Sequence, residues 1–228
     1  ILNFENFYEN LAEKIPIYLI NETWFLENLA KIKKNFYQFF KRLIDIVLAL
    51  ILFVPFSLLL APIALAIKLD SRGPIFYRQK RVGKEGKEFW LLKFRSMKEG
   101  AEKISGLKSD GKDERLTRLG SFLRKSYLDE LPQIINILKG KMSFVGPRPE
   151  RPEYVKALKE KIPFYEMRLL VLPGISGWAQ LKMEKDASVE DAPEKLQYDL
   201  YYIKNRSLIL DLAIAVKTIM ILLGRKGR

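Results

Sequence analysis

Histidine and cysteine are both missing from this 228-residue chain. Their absence removes imidazole bases, thiol nucleophiles, disulfides and most zinc or transition-metal sites together. Any chemistry has to run through carboxylates, Lys, Arg, Tyr or hydroxyl groups. Acidic residues are also scarce: 27 Asp plus Glu stand against 40 Lys plus Arg, a formal charge of +13. That surplus points to anionic partners, whether phosphates, nucleic acid or an acidic membrane surface. Neither G-x-x-x-x-G-K-[ST] nor G-x-G-x-x-G occurs, so P-loop and dinucleotide-type binding have no support. An initiating Met and a basic-then-apolar leader are lacking too, which is the pattern expected of a piece cut from a longer protein.

Charge of either sign is absent from residues 46–67, "IVLALILFVPFSLLLAPIALAI", twenty-two residues in all. At about 1.5 Å per residue this run matches the hydrocarbon thickness of a bilayer. Two features argue against a simple span. Pro55 and Pro62 bracket Ser57, and each removes a backbone donor and bends a helix. Both flanks are basic, with Lys31, Lys33, Lys34, Lys41 and Arg42 before the run and Lys68, Arg72, Arg78, Lys80 and Arg81 after it. A span carries its cations mainly on one side, whereas two basic flanks fit a helix that enters, breaks and returns. The Ser57 hydroxyl is available to carbonyls freed at the bend. Phe36, Tyr37, Phe39 and Phe40 give an aromatic interfacial anchor ahead of the run, and "YDLYYIKNRSLILDLAIAVKTIMILLG" near the C-terminus reads as a helix lying in the interface.

The first thirty residues carry a net charge of −4, so a boundary is expected near Lys31. The organisation read from the chain is a linker or tail of a missing upstream domain at 1–30, an interfacial and re-entrant membrane helix at 31–72, and a cytosolic-face catalytic domain with C-terminal amphipathic helices at 73–228. The fold class is α+β and mainly helical, combining the re-entrant helix-break-helix with a small β-hairpin and interfacial amphipathic helices. The hairpin is "PIFYRQKRVGKEGKEFWLLKFRSM", turning at Gly83 and Gly86, with Lys93 and Arg95 expected on one face of its second strand. "EYVKALKEKI" sets Val155, Leu158 and Ile162 on one side of a helix. "PGISGWAQ" reads as a loop.

In "SYLDELPQIINILKG", residues 126–140, two acids stand together in a basic chain. A negative pair in a first helical turn complements the helix dipole, with Pro132 just inside a helix that ends at Gly140. Chemistry is the other reading of Asp129 and Glu130. Arg115, Arg118, Arg124 and Lys125 precede the pair and Arg148 follows it, a cluster suited to phosphate oxygens as well as to a solvated face or anionic lipid. Without His or Cys, a carboxylate is the natural nucleophile toward a phosphoryl group. A divalent cation, Mg²⁺ by its preference for carboxylate and phosphate oxygens, would bring the two anions together.

The strings "KRLIDIVLAL", "LAIKLDSRGPIFYRQKRVGKEGKEFWLLKFRSM", "DERLTRLGSFLRKSYLDELPQIINILKGKMSFVGPRPE", "PGISGWAQ" and "EKLQYDLYYIKNRSLILDLAIAVKTIMILLG" resemble, in that order, the bacterial sugar transferases, the monotopic phosphoglycosyl transferases that begin surface-glycan assembly. The resemblance runs from about residue 41 to about residue 224. It implies transfer of a sugar-1-phosphate from a UDP-sugar to polyprenyl (undecaprenyl) phosphate with release of UMP, at the cytoplasmic face of the bacterial inner membrane. It implies Asp129 as the nucleophile that holds the phosphosugar, Glu130 as its partner, Mg²⁺ as cofactor on this pair, and Lys93, Arg95, Arg124 and Arg148 as ligands of the diphosphate and the lipid phosphate. It also implies the re-entrant helix, although Ser57 is followed here by Leu58 where the family commonly has Ser-Pro. The loop "LKMEKDAS" differs from many members as well, which leaves the sugar undefined. Residues 7–29 resemble the stretch ahead of the catalytic unit in large members. The expected partners are the UDP-sugar, the polyprenyl phosphate and the bilayer, without nucleic acid, and a homo-oligomer is left open. A noncatalytic membrane scaffold, or a basic module binding anionic lipid or nucleic acid, remains the alternative.

Overall fold

A computed structural model of the chain describes residues 4–19, 21, 23, 24, 28, 35–101, 114–183 and 191–224. The boundary expected near Lys31, the cations Lys33 and Lys34, and loop positions 184–188 lie outside the described residues.

After a short helix α1 (Phe4–Ala12), helix α2 runs from Asn35–Asp70, with Pro55 and Pro62 inside it. It is long and apolar enough to cross a membrane. The expected interruption at Ser57 is not seen: helical backbone continues through both prolines, and the Ser57 hydroxyl donates to the Val54 carbonyl at 2.7 Å. Each proline costs the helix a donor but leaves the turns on either side bonded, so it need not end it. The buried positions of α2 are Asp45, Ala49, Phe56 and Ile67. Their spacings of 4, 7 and 11 residues place them on one stripe. That stripe lies against the rest of the protein, while Leu50, Ile51, Val54, Leu58 and Leu65 are exposed.

The hairpin forms as its alternation predicts. Strands β1 (Phe76–Val82) and β2 (Glu88–Phe94) pair antiparallel from Phe76 with Phe94 to Val82 with Glu88, around a 3-10 turn at Lys84–Gly86. Phe94 stacks on Phe76 and meets Phe56 of α2. Helices α3 (Arg118–Lys125) and α4 (Gln133–Leu138) follow, then strand β3 (Ser143–Val145), helix α5 (Pro152–Lys161), strand β4 (Gly174–Ser176), helix α6 (Trp178–Lys182) and the C-terminal helices α7 (Ala192–Asn205) and α8 (Leu208–Gly224). Val155, Leu158 and Ile162 of "EYVKALKEKI" are all buried.

Two features differ from the sequence reading. "PGISGWAQ" is not only a loop: its first residues form β4, parallel to β3. The backbones approach so closely that a Cβ on Gly174 would sit 2.1 Å from the amide nitrogen of Gly146. The C-terminal stretch is two helices rather than one, divided where Arg206 turns to extended backbone and Ser207 Oγ accepts from the Leu210 amide at 3.2 Å. Helix α8 buries Ile214 and exposes Ile209, Leu212, Val216, Ile219, Met220 and Leu223.

The core has two parts. One gathers α2, the hairpin, α3 and α4; the other gathers α5 to α8, and Phe144 of β3 packs against both. Ile15 and Ile17 are buried within the second part, and the Ile15 amide donates to the Gln197 carbonyl of α7 at 3.1 Å. Ile15 and Ile17 are thereby built into the same core. Fully burying each isoleucine contributes about 1.5–3 kcal/mol.

Candidate active site

The acidic pair lies on a single 3-10 turn, Leu128–Glu130, between α3 and α4. Tyr127 enters the turn with φ 57°, a left-handed conformation that a side-chain-bearing residue seldom adopts. Pro132 then occupies the N-cap of α4, and Gly140, with φ 71°, follows the helix end. The pair therefore sits just ahead of the helix, not inside its first turn.

Glu130 is an anchored carboxylate. Its Oε1 accepts from Lys93 Nζ at 2.6 Å and from Arg148 Nη2 at 3.1 Å. Burial alone would raise its pKa, but Arg148 and Lys93 outweigh burial and hold it down at about 2. Asp129 has the opposite balance. Burial pushes its carboxyl above the ordinary range, opposed by Lys93, reinforced by Glu130, and opposed again by Arg124 and Arg148. Two adjacent acids are thus driven apart, one kept ionised and one desolvated.

Three elements deliver the cations. Lys93 comes from β2, Arg148 from the turn after β3, and Arg124 from the end of α3, where its Nε donates to Ser96 Oγ at 3.1 Å. Asn136 of α4 holds the strand in register, accepting from the Leu92 amide at 3.0 Å and donating to the Trp90 carbonyl at 2.8 Å. That clamp fixes Lys93 opposite Glu130. The fourth expected cation, Arg95, is elsewhere. The strand ends at Phe94, so its alternation does not reach the next residue. Arg95 is buried and donates to the Ser71 carbonyl and hydroxyl at 2.7 and 2.9 Å, and to the Ile67 carbonyl at 3.4 Å. It closes the C-terminal end of α2, a position that suits a cation.

Arg168 escaped the sequence reading. Fully buried, it donates to the Arg148 carbonyl at 2.9 Å and to the Tyr165 hydroxyl at 2.6 Å, and pairs with buried Asp199 at 2.9 Å. The signal was present: a lone charge in "MRLLVLPG" implies a buried ion with a partner. Around it, Glu150 pairs with Lys195. Among the described residues no group of three or more acidic side chains could form a metal site by itself. Asp129 and Glu130 offer two carboxylates, a number that suits Mg²⁺ when a bound diphosphate supplies further oxygens.

Against known proteins, residues 36–225 match the family described as "Bacterial sugar transferase". An Aeromonas hydrophila UDP-N-acetylgalactosamine-undecaprenyl-phosphate N-acetylgalactosaminephosphotransferase is 46% identical over 191 residues, covering 84% of this chain and 45% of that protein. A Xanthomonas campestris pv. campestris UDP-glucose:undecaprenyl-phosphate glucose-1-phosphate transferase is 42% identical, covering 85% of this chain and 41% of its own length. A Caulobacter vibrioides protein of the same description is 39% identical, covering 80% and 69%. The chain thus spans less than half the length of the first two.

Proposed function

The chain belongs to the bacterial sugar transferase family, and on that premise we propose that it transfers a sugar-1-phosphate from a UDP-sugar to a polyprenyl phosphate, of the undecaprenyl type named for its relatives. The products are polyprenyl-diphosphate-sugar and UMP. One observation carries the reading: a desolvated carboxylate, Asp129, beside an ionised Glu130 and within the field of Lys93, Arg124 and Arg148.

In the first half-reaction an Asp129 oxygen attacks the sugar-bearing phosphorus. The bond from that phosphorus to the oxygen shared with the uridylyl phosphate breaks, and UMP leaves with that oxygen and both bonding electrons. In the second, a phosphate oxygen of the lipid attacks the same phosphorus and the Asp129 carboxylate departs. One phosphoanhydride replaces another, and the acyl phosphate between them keeps the group activated. Desolvation leaves the Asp129 oxygens few partners to shed before attack, once ionised. The exposed part of the Arg148 guanidinium, with Lys93 and Arg124, is suited to the charge on the phosphate oxygens. Asp129 and Glu130 would hold Mg²⁺, which when bound supplies charge neutralisation of the diphosphate. Arg95 contributes indirectly, by fastening the end of α2 beside the strand that carries Lys93.

The second substrate needs its tail in lipid and its phosphate at the interface. The exposed apolar flanks of α2 and α8 suit that depth. A same-side placement of the two ends of α2 is supported by its contacts, since Arg42 near one end and the Ile67 carbonyl near the other both bond the same domain; the unbroken helix would then lie along the membrane face of that domain, on the cytoplasmic side of the inner membrane. The buried acidic pair also favours catalysis over a scaffold or a basic binding module, neither of which needs it.

The test is UMP release from a panel of UDP-sugars with Mg²⁺, with and without polyprenyl phosphate. Release with one or a few sugars, and sugar-phosphate appearing on the lipid, is expected. Release of UMP from none of them would overturn the reading. For topology, cysteines at Asn35 and Asp70 should label from the same side of sealed vesicles, and opposite-side labelling would establish a span.

A further inference from the structure

Helix α2 carries two carboxylates, Asp45 and an exposed Asp70 at its end. Asp45 is buried, where a charge is costly unless bonded. Its Oδ1 accepts from Ser143 Oγ at 3.1 Å and from the Phe144 amide at 3.2 Å, both in β3. One turn earlier, Arg42 donates from Nη1 to the Ile137 carbonyl at 2.7 Å and from Nη2 to the Leu138 carbonyl at 3.1 Å, at the end of α4. Three residues apart, the two side chains share a helix face. Between them they grip both ends of the connection from α4 to β3.

That connection joins the two halves of the site. Glu130 stands three residues ahead of α4, and Arg148 stands three residues beyond β3. Their bond at 3.1 Å depends on how α4 and β3 are spaced. We infer that Arg42 and Asp45 form a polar clasp by which the apolar helix sets the spacing of Glu130 and Arg148, making both of them positioning residues of the active site. The membrane-embedded element would then define the catalytic geometry as well as anchor the protein. Asp45 supplies no atom to the substrates and acts on Arg148 through β3.

The inference rests on the proposed transfer, and a double-mutant cycle tests it in the full chain, in detergent or nanodiscs. Asp45→Ala should lower kcat/KM for UMP release about 10- to 100-fold, the scale expected of a small misplacement of a phosphate ligand. Asp45→Asn, which keeps an oxygen for both donors, should stay within about threefold of wild type. In an Arg148→Ala background the same Asp45→Ala change should cost less than about threefold, because the group it positions is gone. An equal loss in both backgrounds, or wild-type activity of Asp45→Ala, would overturn the clasp. Should Asp45→Ala not fold, Ser143→Ala removes one donor of the same contact and decides by the same cycle. Amide exchange of Phe144 and Val145 separates this inference from the transfer itself. If wild type releases no UMP, the transfer reading fails, and the clasp still stands or falls on whether Asp45→Ala speeds exchange there while Asp45→Asn does not.

Discussion

At the residue scale, the pair in "LDEL" divides its labour through surroundings rather than residue type. As the proposed nucleophile, Asp129 would have to be ionised to attack, and burial has raised its pKa, so activity is expected to fall with decreasing pH at a higher point than for an ordinary Asp. Lys93 is the largest opposing influence on that carboxyl. Lys93→Met should therefore move the acid limb of the pH–kcat profile upward, and a limb that stays or moves down would contradict the assignment. The stability consequences have opposite signs. A raised carboxyl pKa favours folding below its unfolded value, and that contribution is lost as pH rises through the folded one. Asp129→Asn should accordingly raise the thermal midpoint at neutral pH, with the gain shrinking in acid. Glu130, held at about 2, stabilises the fold above its ordinary range and loses that contribution as pH falls toward 2. Glu130→Gln should cost about 2–3 kcal/mol at pH 7 by denaturant unfolding. The acidic pair, Lys93, Arg124 and Arg148 were legible because they lie in contiguous strings. Arg95 was misplaced because strand alternation stops one residue short of it, and Arg168 was missed because its partners, Asp199 and the Arg148 carbonyl, lie far away in sequence.

At the scale of elements, the hairpin was read nearly to its ends, since aromatic and apolar residues alternate on both sides of a glycine turn. The parallel pair β3–β4 could not be read: three-residue strands are too short to show a period, and what permits them is the absence of side chains on Gly146 and Gly174. Gly174→Ala should be strongly destabilising, because its Cβ would overlap backbone and not a movable side chain. Asn136 is the other concealed joint. Its side chain satisfies two backbone groups on the free edge of β2, so Asn136→Leu should cost about 2 kcal/mol or more by leaving them unpaired. The same change should weaken kcat/KM by loosening Lys93, and an unaltered kcat/KM would contradict its registering role. In α2 the prolines suggested an interruption, yet the helix tolerates them. Sequence marks where a helix loses donors, while its neighbours decide whether it ends.

At the scale of the molecule, two core parts meet at β3, and the site lies where both reach it. Charge patterning suggested a boundary at residue 31, but it cannot reveal that Ile15 and Ile17 are fully buried beside α7. Removal of residues 1–19 should lower the thermal midpoint, and Ile15→Ala alone should cost about 2–4 kcal/mol. The basic surplus is only partly a surface feature, since Lys41 pairs with Asp211 and Arg42 caps α4. These cations tie the apolar helix to α8 and α4, so the proposed membrane attachment and the proposed active-site geometry would share one set of contacts.

Covalent loading of Asp129 would show in the intact mass of the protein. Purified protein incubated with an accepted UDP-sugar and Mg²⁺, before any lipid is added, should gain the mass of one phosphosugar and lose it when polyprenyl phosphate is supplied. Asp129→Asn should gain nothing. An adduct of unchanged amount on Asp129→Asn, or transfer to lipid by wild type with no adduct at any time, would contradict the account.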